Sequence, residues 1–333
     1  MSPRVTAIHP LLAIEGGRII IEGADFPVDE PALPEVWIGG ARARLVCASP
    51  SRLDALVPSG LESGRAAVRV GAMADAATSV EIAAPFATGL HQVDNPVFDR
   101  DGNLYVDYSG TRGQQVPVSI FRVRPNGTRE SFSSGIANPT SMAIDPSGQL
   151  FVSSRFEGSV FRVAPDGSAT LFATDLGVAC GLAFGLDGTL YVGDRSGTIF
   201  RVGTDGRTAA FAALPASVAA FHLAVAPDGL LYATAPTLAT HDALYVIAPD
   251  GVVTTRYDRF GRPQGLAFDA NGSLFVVEAL AGASGLYRVP TCGDPELVLS
   301  GPRLVGVAFD AHGTLVVASN DTAYRLVRGA ASL

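Results

Sequence analysis

From residue 95 onward one segment recurs, of the type small–apolar–Ala–apolar–x–x–x–Gly–x–Leu. Its copies read NPVFDRDGNL, SMAIDPSGQL, GLAFGLDGTL, HLAVAPDGLL, GLAFDANGSL and GVAFDAHGTL. The turn glycines Gly102, Gly148, Gly188, Gly229, Gly272 and Gly313 fall 40 to 46 residues apart. A period of that length means one supersecondary unit per copy, each unable to bury its apolar face alone. Within a unit the periodicity is that of strands. The run Leu182-Ala183-Phe184 meets the turn Leu186-Asp187-Gly188, where Asp supplies a local hydrogen bond and Gly a positive φ. Leu190-Tyr191-Val192 then forms a second strand. A third follows in every copy: SIFRV at 119–123, SVFRV at 159–163, TIFRV at 198–202, ALYVI at 243–247, GLYRV at 285–289 and TAYRL at 322–326. Four copies continue through a second turn (RPNG, APDG, GTDG, APDG) into a fourth strand such as Ala169-Thr170-Leu171-Phe172.

Four antiparallel strands per unit, six times over, predict a six-bladed β-propeller across residues 85–333. The sixth unit stops after its third strand, so the segment Pro85-Phe86-Ala87-Thr88-Gly89-Leu90 is expected to supply the missing outer strand and close the ring. The composition agrees. Hydrophobic residues make up 47% and charged ones 17%, with 37 Gly and 22 Pro, which suits short buried strands joined by tight turns.

The run Gly-Leu-Ala-Phe-Asp, followed by a Gly turn and an apolar triplet such as Leu190-Tyr191-Val192, resembles the blade signature of the NHL-repeat and SMP-30/gluconolactonase propellers. The resemblance implies a six-bladed propeller. It leaves function open, because the group holds hydrolases, lyases and binding platforms.

Residues 1–84 do not share the repeat. Short alternating strands are expected at 18–21, 35–38, 43–46, 52–57 and 66–70, separated by Gly16-Gly17, Gly39-Gly40 and Pro58-Ser59-Gly60. An all-β sandwich is the natural product. Ile8-x-Pro10, Gly16-Gly17-x-Ile19, Ile21-x-Gly23-x-x-Phe26, Val36-x-Ile38-Gly39-Gly40 and Leu53-x-Ala55-x-Val57-Pro58 resemble an immunoglobulin-like IPT/TIG domain. The resemblance implies a partner-binding module, or a spacer or lid beside the propeller.

Propellers bind ligands at one end of the central channel, where the inner strands begin. The residue before each repeat run there is Asp94, Thr140, Cys180, Phe221, Gln264 or Val305, and the next register holds Asn95, Ser141, Gly181, His222, Gly265 and Gly306. A second ring after the apolar triplet of each second strand collects Tyr108, Ser154, Asp194, Ala235, Glu278 and Ser319. Asp94, Asn95 and Gln264 are thus candidate ligands for a hard cation, Ca²⁺ or Mg²⁺ ahead of Zn²⁺. Asp194, Glu278 and His222 are candidate catalytic groups. A bound cation could polarise a lactone carbonyl or an enolate.

Resemblance to the SMP-30 hydrolases implies acidic and amide ligands at the first-ring positions; Cys180, Phe221 and Val305 depart from that. Resemblance to virginiamycin-B-lyase-like propellers implies a His and an acid acting with Mg²⁺, and Gln264 stands where the His would be. Each candidate also has a structural role open to it. Asp194 and Glu278 could pair with the third-strand arginines Arg122, Arg162, Arg201, Arg288 and Arg325. His222 could be a hydrogen-bonded wall residue, and Cys180 a small buried apolar one. Asp101, Asp187, Asp228 and Asp250 suit turns, and His241-Asp242 lies in a longer loop that could overhang the channel.

The reading is therefore a metal-dependent lactone or small-ester hydrolase. The alternatives are a non-catalytic propeller binding a small molecule or peptide, and an interaction protein. The formal charge of −8 and the absence of a basic cluster argue against nucleic acid as a partner. Cys47, Cys180 and Cys292 form no disulfide or zinc pattern. No apolar h-region opens the chain and no run approaches the ~20 apolar residues of a membrane span, so a soluble, cytoplasmic protein without membrane partners is expected, an exported precursor remaining open.

Overall fold

The computed structural model describes residues 4–28, 33–71 and 78–326. Every regular element among them is a β-strand, and no helix is long and apolar enough to cross a membrane. The N-terminal part holds β1 (Arg4–His9), β2 (Leu12–Ala13), β3 (Arg18–Ala24), β4 (Val36–Ile38), β5 (Ala41–Ser49), β6 (Arg52–Leu56), β7 (Gly64–Val70) and β8 (Ser79–Ile82). Alternation along these strands sends one face inward, and Ile19, Ile21, Val36, Ile38, Leu53 and Val80 are fully buried in one shared core. β5 changes partner midway. Its first residues, Ala41 to Ala43, pair with β4, and from Arg44 onward it pairs with β6 across an irregularity between Leu45 and Cys47.

After β9 (Ala84–Thr88) the repeats begin, and five free-standing four-stranded antiparallel sheets give the chain a β-propeller arrangement. The first contains β10 (Val97–Phe98), β11 (Leu104–Asp107), β12 (Ile120–Val123) and β13 (Arg129–Ser133). The second contains β14 (Pro139–Ile144), β15 (Leu150–Ser154), β16 (Ser159–Val163) and β17 (Ala169–Ala173). The third is β18 (Ala179–Phe184), β19 (Leu190–Asp194), β20 (Thr198–Val202) and β21 (Thr208–Ala213). The fourth is β22 (His222–Val225), β23 (Leu231–Thr234), β24 (Asp242–Ile247) and β25 (Val253–Phe260).

The strands of the next repeat, β26 (Pro263–Phe268), β27 (Leu274–Glu278), β28 (Gly285–Val289) and β29 (Glu296–Ser300), pair in the same order but end a twelve-stranded sheet shared with the N-terminal part. The last sheet is β30 (Leu304–Phe309), β31 (Leu315–Ser319), β32 (Thr322–Leu326) and then β9, with Thr88 opposite Thr322 and Ala87 opposite Ala323. The segment expected to supply the outer strand of the last repeat therefore does so. Each repeat's first strand lies beside the next, and β30 lies beside β10, so these strands form a closed circle.

β2 joins the two parts. It pairs in parallel with β8 on one side and β29 on the other, and Leu12 and Ile14 are buried with Phe275, Leu286 and Leu299. Backbone pairing over a shared apolar core fixes the N-terminal part to the rim, where the sequence allowed a mere spacer.

The repeat turns work as the Asp-Gly pattern demands, with one correction of register. Asp187, Asp228 and Asp250 accept the backbone N–H two residues on. In the first repeat the capping group is Asp99, which accepts from the N–H groups of Asp101 and Asn103, so Asp101 is not the turn's acceptor.

Close approach explains the small residue of the repeat run. A Cβ on Gly306 would lie 2.5 Å from the Asp94 carbonyl oxygen and one on Gly181 2.7 Å from that of Phe221, so a larger residue would force the inner strands apart.

Candidate functional site

The inner strands bring together two residues 128 positions apart. Asp94 lies just before β10 and His222 opens β22, on opposite sides of the circle, yet His222 Nδ1 is 2.6 Å from Asp94 Oδ1. Both side chains are buried. This hydrogen bond crosses the axis, and a carboxylate on Nδ1 places the proton there, leaving Nε2 as the acceptor. Nε2 has no protein partner.

A second carboxyl sits beside the pair. Asp107, the last residue of β11, is fully buried and neither of its oxygens has a protein partner. Burial, and then the like charge of Asp94, push its pKa well above the ordinary carboxyl value, with Arg155 and the nearby backbone N–H groups of Val93 and Asp107 pulling the other way without forming well-aligned hydrogen bonds. Gln92 ties the segments together: its Nε2 donates to the Asp94 carbonyl (2.9 Å) and its Oε1 accepts from Asp107 N–H (3.0 Å). His91, bridged to Tyr108, has its pKa lowered by burial and by Arg155.

The other expected site residues serve the scaffold. Asn95 stitches neighbouring strands, donating to Leu266 O (2.7 Å) and accepting from Val307 N–H (2.9 Å). The buried Gln264 offers its backbone carbonyl to Thr234 Oγ1 (2.5 Å). Asp194 accepts from Val178 N–H (2.8 Å) and from the Ser196 hydroxyl. Glu278 accepts three backbone N–H groups, from Gly261 (2.7 Å), Arg262 (2.7 Å) and Leu280 (2.8 Å). Neither acid pairs with a third-strand arginine as the sequence allowed. Arg122 and Arg288 pair with Glu130 and Glu296, while Arg201 and Arg325 lie over the Phe211 and Phe86 rings. Asp242, expected in a loop, opens β24 and accepts from the N–H and hydroxyl of Thr237, which braces the preceding loop from within.

Strand alternation explains the division. Asp107 occupies the same place in its repeat as Ser153 and Thr234, whose hydroxyls reach the neighbouring inner strand at Cys180 O and Gln264 O. Asp194 and Glu278 stand one residue further on, on the opposite face, and cap the connecting loops. Asp107 and Gln92 are the functional candidates that the ring argument missed, Asp107 by a single position.

Cys180, which feels the charge of Asp94, lines a neighbouring cavity of about 180 Å³ together with Arg112, Arg155, Phe156, Val178, Arg195 and two alanines. Burial pushes the Cys180 thiol up to about 12, so it is a neutral wall residue. Cys47 and Cys292 are exposed. A thiol titration of the native protein should therefore modify two cysteines quickly and the third only on unfolding. Rapid labelling of Cys180 in the fold would contradict that.

Larger cavities are also found among the described residues. One of about 410 Å³ separates the N-terminal part from β28 and β29, between Arg18, Arg44, Tyr287 and Pro302. The other, about 380 Å³, lies between the first two repeat sheets near Asp99, Arg122 and Gln149.

No protein-family model matches the sequence, and no curated protein matches it. Many solved structures share its fold. A gluconolactonase from Xanthomonas campestris superposes with a TM-score of 0.58 at 17% identity, over 72% of this chain and 87% of that one. An auxiliary nutrient binding protein from Bacteroides ovatus gives 0.55 at 14% identity, over 98% of both chains. A catalytically inactive virginiamycin B lyase from Staphylococcus aureus, solved with quinupristin, gives 0.54 at 13% identity over 98% and 99%. At such identities the likeness is one of fold: the chain is a β-propeller similar to the gluconolactonase-like propellers.

Proposed function

We propose that the chain is an IPT/TIG-type immunoglobulin-like sandwich over residues 1–84 followed by a six-bladed propeller over 85–333, and that it binds a small molecule at the channel mouth. The closed circle of first strands supports the count of six, with β26 to β29 as the fifth blade. The passage of β5 from one strand set to the other, over a common core, supports the sandwich.

One observation carries the binding reading. Asp107 Oδ1 and Oδ2 and His222 Nε2 are buried hydrogen-bonding atoms that the protein itself leaves without partners. Buried polar groups are normally satisfied, and a cluster left open on a propeller axis calls for a ligand or water. A small-molecule set screened by thermal shift tests it. Ligands should stabilise the wild type, by about 2.7 kcal/mol at a hundredfold excess over Kd, and lose that effect in His222→Gln. Hits that stabilise both proteins equally would place binding elsewhere.

A second reading, hydrolysis of a lactone or similar small ester, is favoured by the Asp94–His222 bond. With Nδ1 protonated and held by Asp94, Nε2 is the atom that would take a proton from attacking water. A divalent cation fits this site poorly. Among the described residues no three His, Cys, Asp or Glu side chains are grouped to hold a metal, both ends of the Asn95 amide are engaged, and Asp94 Oδ1 is bonded to His222. Ca²⁺ wants six to eight oxygens and Mg²⁺ a near-ideal octahedron, which these side chains do not supply. Turnover of small lactones should then survive chelation and vanish in His222→Gln. Loss on chelation, restored by Ca²⁺ or Mg²⁺, would overturn the metal-free form of this reading.

A further inference from the structure

The mouth cavity is basic on an acidic chain. Arg112, Arg155 and Arg195 line it and no carboxylate does, although the chain carries 32 acids against 24 Lys and Arg. Among the described residues none of these three guanidiniums has a carboxylate partner. Arg155 is half-buried and Arg112 and Arg195 are exposed, so three like charges converge on about 180 Å³ at a solvent-reached mouth, a setting that favours an anion over a cation. Resting on the reading that a small molecule binds at this mouth, we propose that the ligand is a small organic carboxylate, its charge among these arginines and a short apolar body against Phe156, Val178 and Cys180.

The arginines are placed by the fold. Arg195 Nε and Nη2 donate to the carbonyls of Ser217 (3.2 Å) and Val218 (3.1 Å), which fixes its guanidinium at the rim. The loop bearing Arg112 is clamped by Asn138, a fully buried residue in the left-handed region at φ 47°. Its Nδ2 donates to Ser109 O (2.5 Å) and Thr111 O (2.9 Å), and its Oδ1 accepts from Gly113 N–H (2.6 Å). Phe156 lies over Gly113, where a Cβ would come within 3.0 Å of the ring. Arg155 follows β15 directly, half-buried, and its charge reaches Asp107, His91 and Cys180. Asp107 does not serve as its partner, since neither carboxyl oxygen is hydrogen-bonded.

Size and wall chemistry choose the ligand class. At about 180 Å³ the cavity falls below the ~300 Å³ at which drug-sized sites begin. Guanidinium forks match a carboxylate bidentately. The neutral thiol, the phenyl ring and the valine suit a short hydrocarbon body better than a sugar or a nucleotide.

The test is calorimetric titration with acetate, butyrate and benzoate against acetamide, butyramide and benzamide, on the wild type, Arg155→Gln and the exposed-site variant Arg112→Gln, with folding checked by circular dichroism. At least one acid should bind tenfold or more tightly than its amide. That preference should fall at least tenfold in each arginine variant and weaken with added chloride. An amide that binds as tightly as its acid would overturn the carboxylate assignment while leaving a binding mouth intact. Acid binding untouched by both variants, no acid binding at all, or inorganic phosphate outcompeting every carboxylate would each overturn it as well.

Discussion

Asp107→Asn is expected to raise the stability of the fold at neutral pH by about 1 to 4 kcal/mol and to flatten its dependence on pH. The wild-type carboxyl is fully buried with both oxygens unpaired, and burial together with Asp94 pushes its pKa well above the ordinary value. The folded state therefore holds this proton more tightly than the unfolded state does. For a raised acid the sign is fixed: below the ordinary carboxyl range both states are protonated and nothing is lost. As pH rises through that range the unfolded state releases its proton first, and stability falls until the folded group ionises too. The upper figure is the cost of keeping an ordinary carboxyl protonated at pH 7, at ~1.4 kcal/mol per unit. Asn keeps the shape and removes the titration. Urea unfolding from acid to neutral pH checks this, and a variant with the wild-type slope would contradict it. A stabler variant that no longer stabilises with ligand would mark Asp107 as a binding group held at the expense of stability.

Glu278→Ala should act in the opposite direction, destabilising by about 3 to 5 kcal/mol. The buried carboxylate gathers the N–H groups of Gly261, Arg262 and Leu280 at 2.7 to 2.8 Å, holding the approach to β26 against the end of β27. Truncation leaves three donors without their acceptor, and each charge-assisted bond of this kind contributes about 1.5 to 3 kcal/mol, not fully additively. Glu278→Gln should fall between, because only its carbonyl oxygen can still accept. A lowered unfolding midpoint with ligand affinity preserved in the surviving fold is the expected pattern. An unchanged midpoint with lost affinity would return Glu278 to the functional site.

The repeat was legible because every copy carries the same three signals: an apolar run, a Gly turn and an apolar triplet. Even the closing strand around Pro85 could be read, since the last repeat lacks its own. The fourth strand of the fifth repeat could not, because β29 follows a loop at 290–295 in place of an Asp-Gly turn and takes β2 as its outer neighbour. β2 itself is two residues long, too short to show a period. At the mouth, the sequence found Asp94 and His222 as members of a ring but had no means to pair them across it. It chose Tyr108 over Asp107 because the end of a strand does not announce which face looks at the axis, and one residue exchanges the two faces. The three arginines stand in connecting loops, where no period places a side chain.

The channel end that carries Asp94, Asp107 and His222 is where this propeller should bind its ligand. A crystallographic fragment soak tests it most directly. Fragments should be found in the cavity between Arg155, Arg195 and Phe156, or bound to His222 Nε2. Fragments confined to the groove between Arg18 and Tyr287, with none at the mouth at any soaking concentration, would contradict it.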